Sequence, residues 1–196
     1  MDEIVLKAMQ KWPDVPNVFG WLRLDRRGNW LVKSRSGEFG RIANPALCEF
    51  IGRNYAADEL GRWYFQNGPQ RVFVTLDYTP FVFRLDDSVS GLISQTGHPA
   101  GAVSALCLDE AGALLVHCVR GAGVVQDRDL APFIARLIAD NPALADEEAF
   151  LATAARGGEL HVFGSGARIG RIDSGRVAAR FGFDPCPVPP PGQPDC

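Results

Sequence analysis

The sequence predicts an α+β fold made of two tandem, diverged repeats, each a β-hairpin plus helix followed by further antiparallel strands. Leu22-Arg23-Leu24-Asp25-Arg26-Arg27-Gly28 with Trp30-Leu31-Val32 returns 84 residues later as Leu106-Cys107-Leu108-Asp109-Glu110-Ala111-Gly112 with Leu114-Leu115-Val116. Leu47, Phe50, Ile51 and Arg53 return as Leu130, Phe133, Ile134 and Arg136 at an offset of 83, so one deleted residue reconciles the two blocks. The first block alternates apolar and polar residues, and the second spaces its apolar residues like a helix.

The chain opens with Ile4, Val5, Met9 and Trp12 at helical spacing, and Pro13 and Pro16 stop that helix, so residues 1–19 read as a helix and lead-in. The first repeat is expected over 20–87. Asp25 to Gly28 has the form of a type I turn with glycine at the left-handed position, which sets Leu24 opposite Trp30 and Leu22 opposite Val32. Asn44-Pro45 is a helix start, cap then proline, and the helix runs from about 45 to 55. RWYFQ, RVFVTL and FVFRL then read as a three-stranded meander, with Asn67-Gly68 as the first turn.

Residues 88–103 form a Ser- and Gly-rich connection, and 104–184 the second repeat. Its helix is expected to be capped by Asp129, which leaves Pro132 in the first turn where a missing N–H is tolerated. The Ala-rich stretch 146–156 reads as an extra helix in place of the RWYFQ strand, and two runs near Leu160 and Arg168 as a closing hairpin. Residues 185–196 read as a disordered, Pro-rich tail.

A net charge of −3, with 12 Lys and Arg against 11 Asp and Glu in residues 1–98 and 8 against 12 in 99–196, argues against a nucleic-acid partner. An acidic start and the lack of a long apolar run fit a cytoplasmic protein that does not enter a membrane, of bacterial type. Five cysteines without CxxC spacing give neither a disulfide framework nor a zinc ribbon, so no metal and no cofactor is expected.

No catalytic residue is assigned. Gly164 to Gly170 is spaced GxGxxxG and reads as a hairpin turn, because too little chain follows for a dinucleotide fold. Cys107 and His117 share the less apolar face of the second hairpin, where a half-buried thiol outweighs a nucleophile. The densest group of unusual residues is Asn54, Tyr55, Arg62, Tyr64, Gln66 and Arg71. With Asn67-Gly68 as a two-residue loop, Tyr64 opposes Arg71, and Arg62, Tyr64, Gln66 and Arg71 share a polar and aromatic face suited to an anionic or planar ligand.

FGWLRLDRRGNW and FIGRNYAADELGRWYFQNGPQRVFVTLDYTPFVFRL resemble an uncharacterised family of small proteobacterial proteins, a domain of unknown function with a GRWYFQNGPQRV-type signature. The likeness is clearest over residues 10–86 and implies no activity, cofactor or catalytic residue. The layout is also similar to another domain of unknown function with repeated motifs, for which a signalling role has been suggested. The expectation is therefore a non-catalytic small-ligand-binding or regulatory, signalling module, its partner a small molecule or protein, compatible with a homo-oligomer. The alternative is a small-molecule enzyme with a site between the two repeats, which needs His, Cys or acidic residues to converge.

Overall fold

A computed structural model describes residues 1–89 and 91–191. It divides into two compact units, one of Met1–Pro80 with the segment from Gly182 onward, the other of Phe81–Phe181. The first unit comprises α1 (Glu3–Lys11), β1 (Val18–Leu24), β2 (Trp30–Lys33), β3 (Phe39–Arg41), α2 (Pro45–Arg53), β4 (Tyr55–Ala57), β5 (Trp63–Asn67) and β6 (Gln70–Leu76). Its sheet has the order β3-β2-β1-β6-β5-β4. The second unit comprises β7 (Phe81–Asp86), β8 (Gly91–Ser94), β9 (Val103–Leu108), β10 (Leu114–Cys118), β11 (Gly121–Val125), α3 (Asp127–Asp140), α4 (Glu147–Arg156), β12 (Gly158–Val162), β13 (Ser165–Arg171) and α5 (Val177–Phe181). Its sheet runs β12-β13-β9-β10-β11-β7-β8.

Both units are α+β, and both build the same object. Three antiparallel strands lead to a helix, and a hairpin follows whose second strand lies parallel to the first strand of the three. Leu22 pairs with Val32 and Val74, and Leu106 with Val116 and Ile169. The connecting turn is the same in each. The Asp25 carboxylate accepts from Arg27 and Asn29 N–H, and that of Asp109 from Ala111 and Ala113 N–H. Gly28 and Gly112 supply the left-handed residue at φ +79° and +84°.

Several local expectations change. The third strand of each set, β3 and β11, carries too little pattern to be read from sequence. FVFRL is not the end of a meander: β7 pairs parallel with β11 and belongs to the second sheet. The Ala-rich α4 precedes a strand and does not replace one. β12 and β13 begin 95 residues after β5 and β6 (63 to 158, 70 to 165), so the RWYFQ hairpin persists in the second copy with different residues.

The first hairpin also turns one residue later than expected. Asn67 pairs with Gln70 across Gly68-Pro69, so Arg71 opposes Gln66 and Phe73 opposes Tyr64. Gly68 at φ +58° followed by proline's fixed negative φ is the pattern of a II′ turn, whose twist matches the strands. The shift is an even number of partners, so the face assignments of β5 survive. The second hairpin turns at Phe163-Gly164, both at positive φ, upstream of the expected Gly-Ser-Gly. α3 starts at Asp127 with Pro132 inside it, because the missing bond falls on the carbonyl of Arg128 in the exposed first turn.

Phe133 on α3 and Phe150 on α4 are fully buried, each burial stabilising by about 1.5–3 kcal/mol. These helices pack on β12 and β13, which leaves the opposite face of β13-β9-β10 to other elements. The Pro-rich segment begins anchored: Asp184 N–H donates to Gly61, Pro185 accepts from Leu76 N–H, and Pro187 is buried. Residues 192–196 of the expected tail lie outside the described residues.

Asn141 closes the edge of β12. Its side chain accepts from His161 N–H at 2.7 Å and donates to the His161 and Leu137 carbonyls. Asn141→Ala removes all three bonds from a buried site and should lower unfolding free energy by about 2–3 kcal/mol in urea titration, whereas a surface residue would cost under about 0.5 kcal/mol.

Candidate functional site

The six residues singled out in the sequence pack the first unit and do not form an open face. Gln66 and Asn54 are essentially without exposure, at 0% and 1%. The Asn54 amide accepts from Asp2 N–H and donates to Phe50, while Gln66 donates to Gly68. Tyr55 is half-buried, its hydroxyl donating to Pro80, and desolvation of that hydroxyl pushes its pKa well up. Tyr64 is buried beside Phe73 and Phe19, and Arg71 lies over its ring at 4.7 Å.

Arg62 binds Asp58 at 2.7 Å and lies 4.7 Å over Phe73. Burial alone would raise the Asp58 carboxyl, but the hydrogen bonds from Arg62 and Leu60 outweigh it and hold it below the usual range. The sequence grouped these residues correctly by face. It did not show that their aromatic and cationic groups would satisfy one another.

The open space lies on the corresponding face of the second unit. A groove of about 1150 Å³ is floored by β13, β9 and β10 and walled by a 3₁₀ turn, Ser174–Arg176, and α5. The repeat explains why it is open there. Phe73, stacked on Phe19 at 4.5 Å, corresponds to Arg168; Trp21 to Ala105; Thr75 to Gly170. A Cβ built on Gly170 would meet nothing within 4 Å.

Four arginines line this groove: Arg168 and Arg171 from β13, Arg176 and Arg180 from the wall. The eight cations of residues 99–196 are all arginine, and half of them are here. Arg171 reaches the Asp109 carbonyl, but Arg168, Arg176 and Arg180 have no carboxylate partner among the described residues. Asp173, the lining carboxylate, caps the 3₁₀ turn through Gly175 N–H. The wall is fastened at both ends. Glu110 accepts from the backbone and hydroxyl of Ser174, which holds its carboxyl below the usual range, and Phe181 stacks on His117 at 5.2 Å.

His117 and Cys107 line the same groove, as their shared face requires, yet the arrangement does not suit nucleophilic chemistry. Burial pushes the Cys107 thiol up, against the opposing pull of Arg180, so less thiolate is present near neutrality. Ser104 Oγ lies 2.9 Å from His117 Nδ1 and 3.2 Å from the His117 carbonyl. Both contacts are satisfied when the hydroxyl donates to the carbonyl and Nδ1–H donates to the hydroxyl, and His117 is then no base toward Ser104. Among the described residues no three His, Cys, Asp or Glu side chains come together as a metal site, and no helix is long and apolar enough to cross a membrane.

The chain belongs to the DUF2944 family, described as a protein of unknown function (DUF2946), whose model matches residues 1–188. No curated protein matches it. A crystal structure of a DUF1285 family protein from Silicibacter pomeroyi DSS-3 is similar in fold, with a TM-score of 0.50 and 17% identity, covering 86% of this chain and 95% of that one.

Two measurements test this geometry. Arg62→Ala should act on stability, lowering unfolding free energy by about 1–3 kcal/mol, because it removes the charge partner of the part-buried Asp58 carboxylate and leaves it only backbone N–H donors. In alkylation with iodoacetamide at pH 7.5, Cys186, which is exposed, should label before Cys107, whose rate should climb as pH rises. Equal rates at the two positions would contradict the desolvation of Cys107.

Proposed function

We propose that this protein is a non-catalytic, small-ligand-binding regulatory module whose ligand is anionic and occupies the β13-β9-β10 groove. The observation that carries the reading is the set of three arginines, Arg168, Arg176 and Arg180, that line one open groove without an ion pair to a carboxylate among the described residues. Arg176 ends the 3₁₀ turn and Arg180 lies in α5, so the wall carries two like charges whose mutual repulsion is a cost. An anion between them reverses that cost. The overall net charge of −3 makes the concentration of cations local, a feature of the groove and not of the surface as a whole.

The raised Cys107 thiol and the Ser104–His117 geometry favour binding over catalysis. Cys107 is not in a disulfide among the described residues, which suits the cytoplasm, the setting proposed for the protein.

Binding of an anion to the native state should raise the melting temperature by mass action. Citrate and pyrophosphate at 10 mM and low ionic strength should each raise Tm by a few degrees, about 2–8 °C for each kcal/mol of binding. Arg176→Gln with Arg180→Gln should abolish most of the shift, while Arg35→Gln, at an exposed position on the first unit, should not. Wild type and the double variant responding alike would sink the reading.

A further inference from the structure

Resting on the anion-binding reading, we infer that the ligand is a phosphomonoester with a compact, uncharged organic body. The cations approach from two directions, Arg168 from the sheet floor and Arg176 and Arg180 from the wall. A carboxylate presents two coplanar oxygens that match a single guanidinium fork. A phosphoryl group presents three terminal oxygens around a tetrahedral centre and, with about −1.5 to −2 charges at pH 7, can answer donors from floor and wall together. A monoanion would leave the three guanidinium groups mostly uncompensated.

The groove also exceeds what an inorganic ion fills. Its volume is about 1150 Å³, whereas a water molecule occupies about 30 Å³ in the liquid. Between the arginines the lining is formed by Ala105, Cys107 and Gly170 on the floor and by Ala179 and the Phe181–His117 ring stack on the wall. The organic body lies over this part, where Gly170 leaves space that the first unit fills with Thr75.

Phenyl phosphate, phthalate and inorganic phosphate, titrated calorimetrically into the full chain, separate the elements of this inference. Phthalate carries two charges and a ring of the same size but only planar acceptors. Phenyl phosphate should bind at least about tenfold tighter than phthalate, the difference expected from one charge-assisted hydrogen bond. Gly170→Leu places a side chain in open space at a φ that strains nothing, and its melting curve reports whether the fold is kept. It should weaken phenyl phosphate about tenfold, as expected for blocked contacts, and leave inorganic phosphate within about twofold.

Equal affinity for phthalate and phenyl phosphate would overturn the phosphoester assignment while leaving an anion-binding module. An unchanged phenyl phosphate affinity in a folded Gly170→Leu variant would overturn the placement of the organic body. Failure of all three anions, with citrate and pyrophosphate also inert, would remove the anion-binding reading itself.

Discussion

Parallel pairing between the first and last strands of each repeat is the constraint from which the remaining geometry follows. β6 lies beside β1, and β13 beside β9, in the same register: Arg23 pairs with Thr75, and Cys107 with Gly170. A parallel neighbour cannot be reached by a tight turn, so the intervening chain must cross over, and α2 or α3 with α4 does so. The helix packs on one face of the sheet. The other face of the central strands is then closed, or left open, by whatever side chains the two strands carry.

The two copies make opposite choices on that face. In the first, Phe19, Tyr64 and Phe73 fill it, and Arg62 and Arg71 lie over the rings, so cations and aromatics satisfy one another. In the second, Ala105, Gly170 and Arg168 stand where the first has Trp21, Thr75 and Phe73, and the chain after β13 returns as a wall held by Glu110 at one end and His117 at the other. Duplication thus supplies one copy that is packed and one that is hollow and cationic. A polar group lost from packing is free for a ligand, which is why the divergence matters more for function than the fold that both copies share.

The local rules were legible in the sequence. Asp25 and Asp109 with Gly28 and Gly112 announce their turns, Asn44-Pro45 announces α2 with the Asn44 side chain accepting from Leu47 N–H, and the 84-residue offset pairs Leu22 with Leu106 correctly. Partnerships between distant segments were not legible. β7 reads as the next strand of a meander because nothing in FVFRL names β11 as its neighbour. The groove was hidden for a related reason: it is defined by small residues, which leave no pattern, and by arginines some sixty residues away from Cys107 in the chain (107 to 168). The hairpin of Arg62 to Arg71 drew attention through its aromatics, and those aromatics are what fill it. The one clue in the sequence was substitution within the repeat, Phe73 to Arg168, visible only once β12 and β13 are aligned with β5 and β6.

The central claim is that the ligand sits on the hollow face of the second copy. Backbone amide chemical shifts, followed by NMR as pyrophosphate is added, test it most directly. The account predicts saturable shifts at Ser104, Gly170, Arg176 and Arg180, with the amides of Tyr64, Gln66 and Arg71 unmoved. Shifts gathered on Arg62 to Arg71, or saturable shifts that spare β13 and α5, would contradict it.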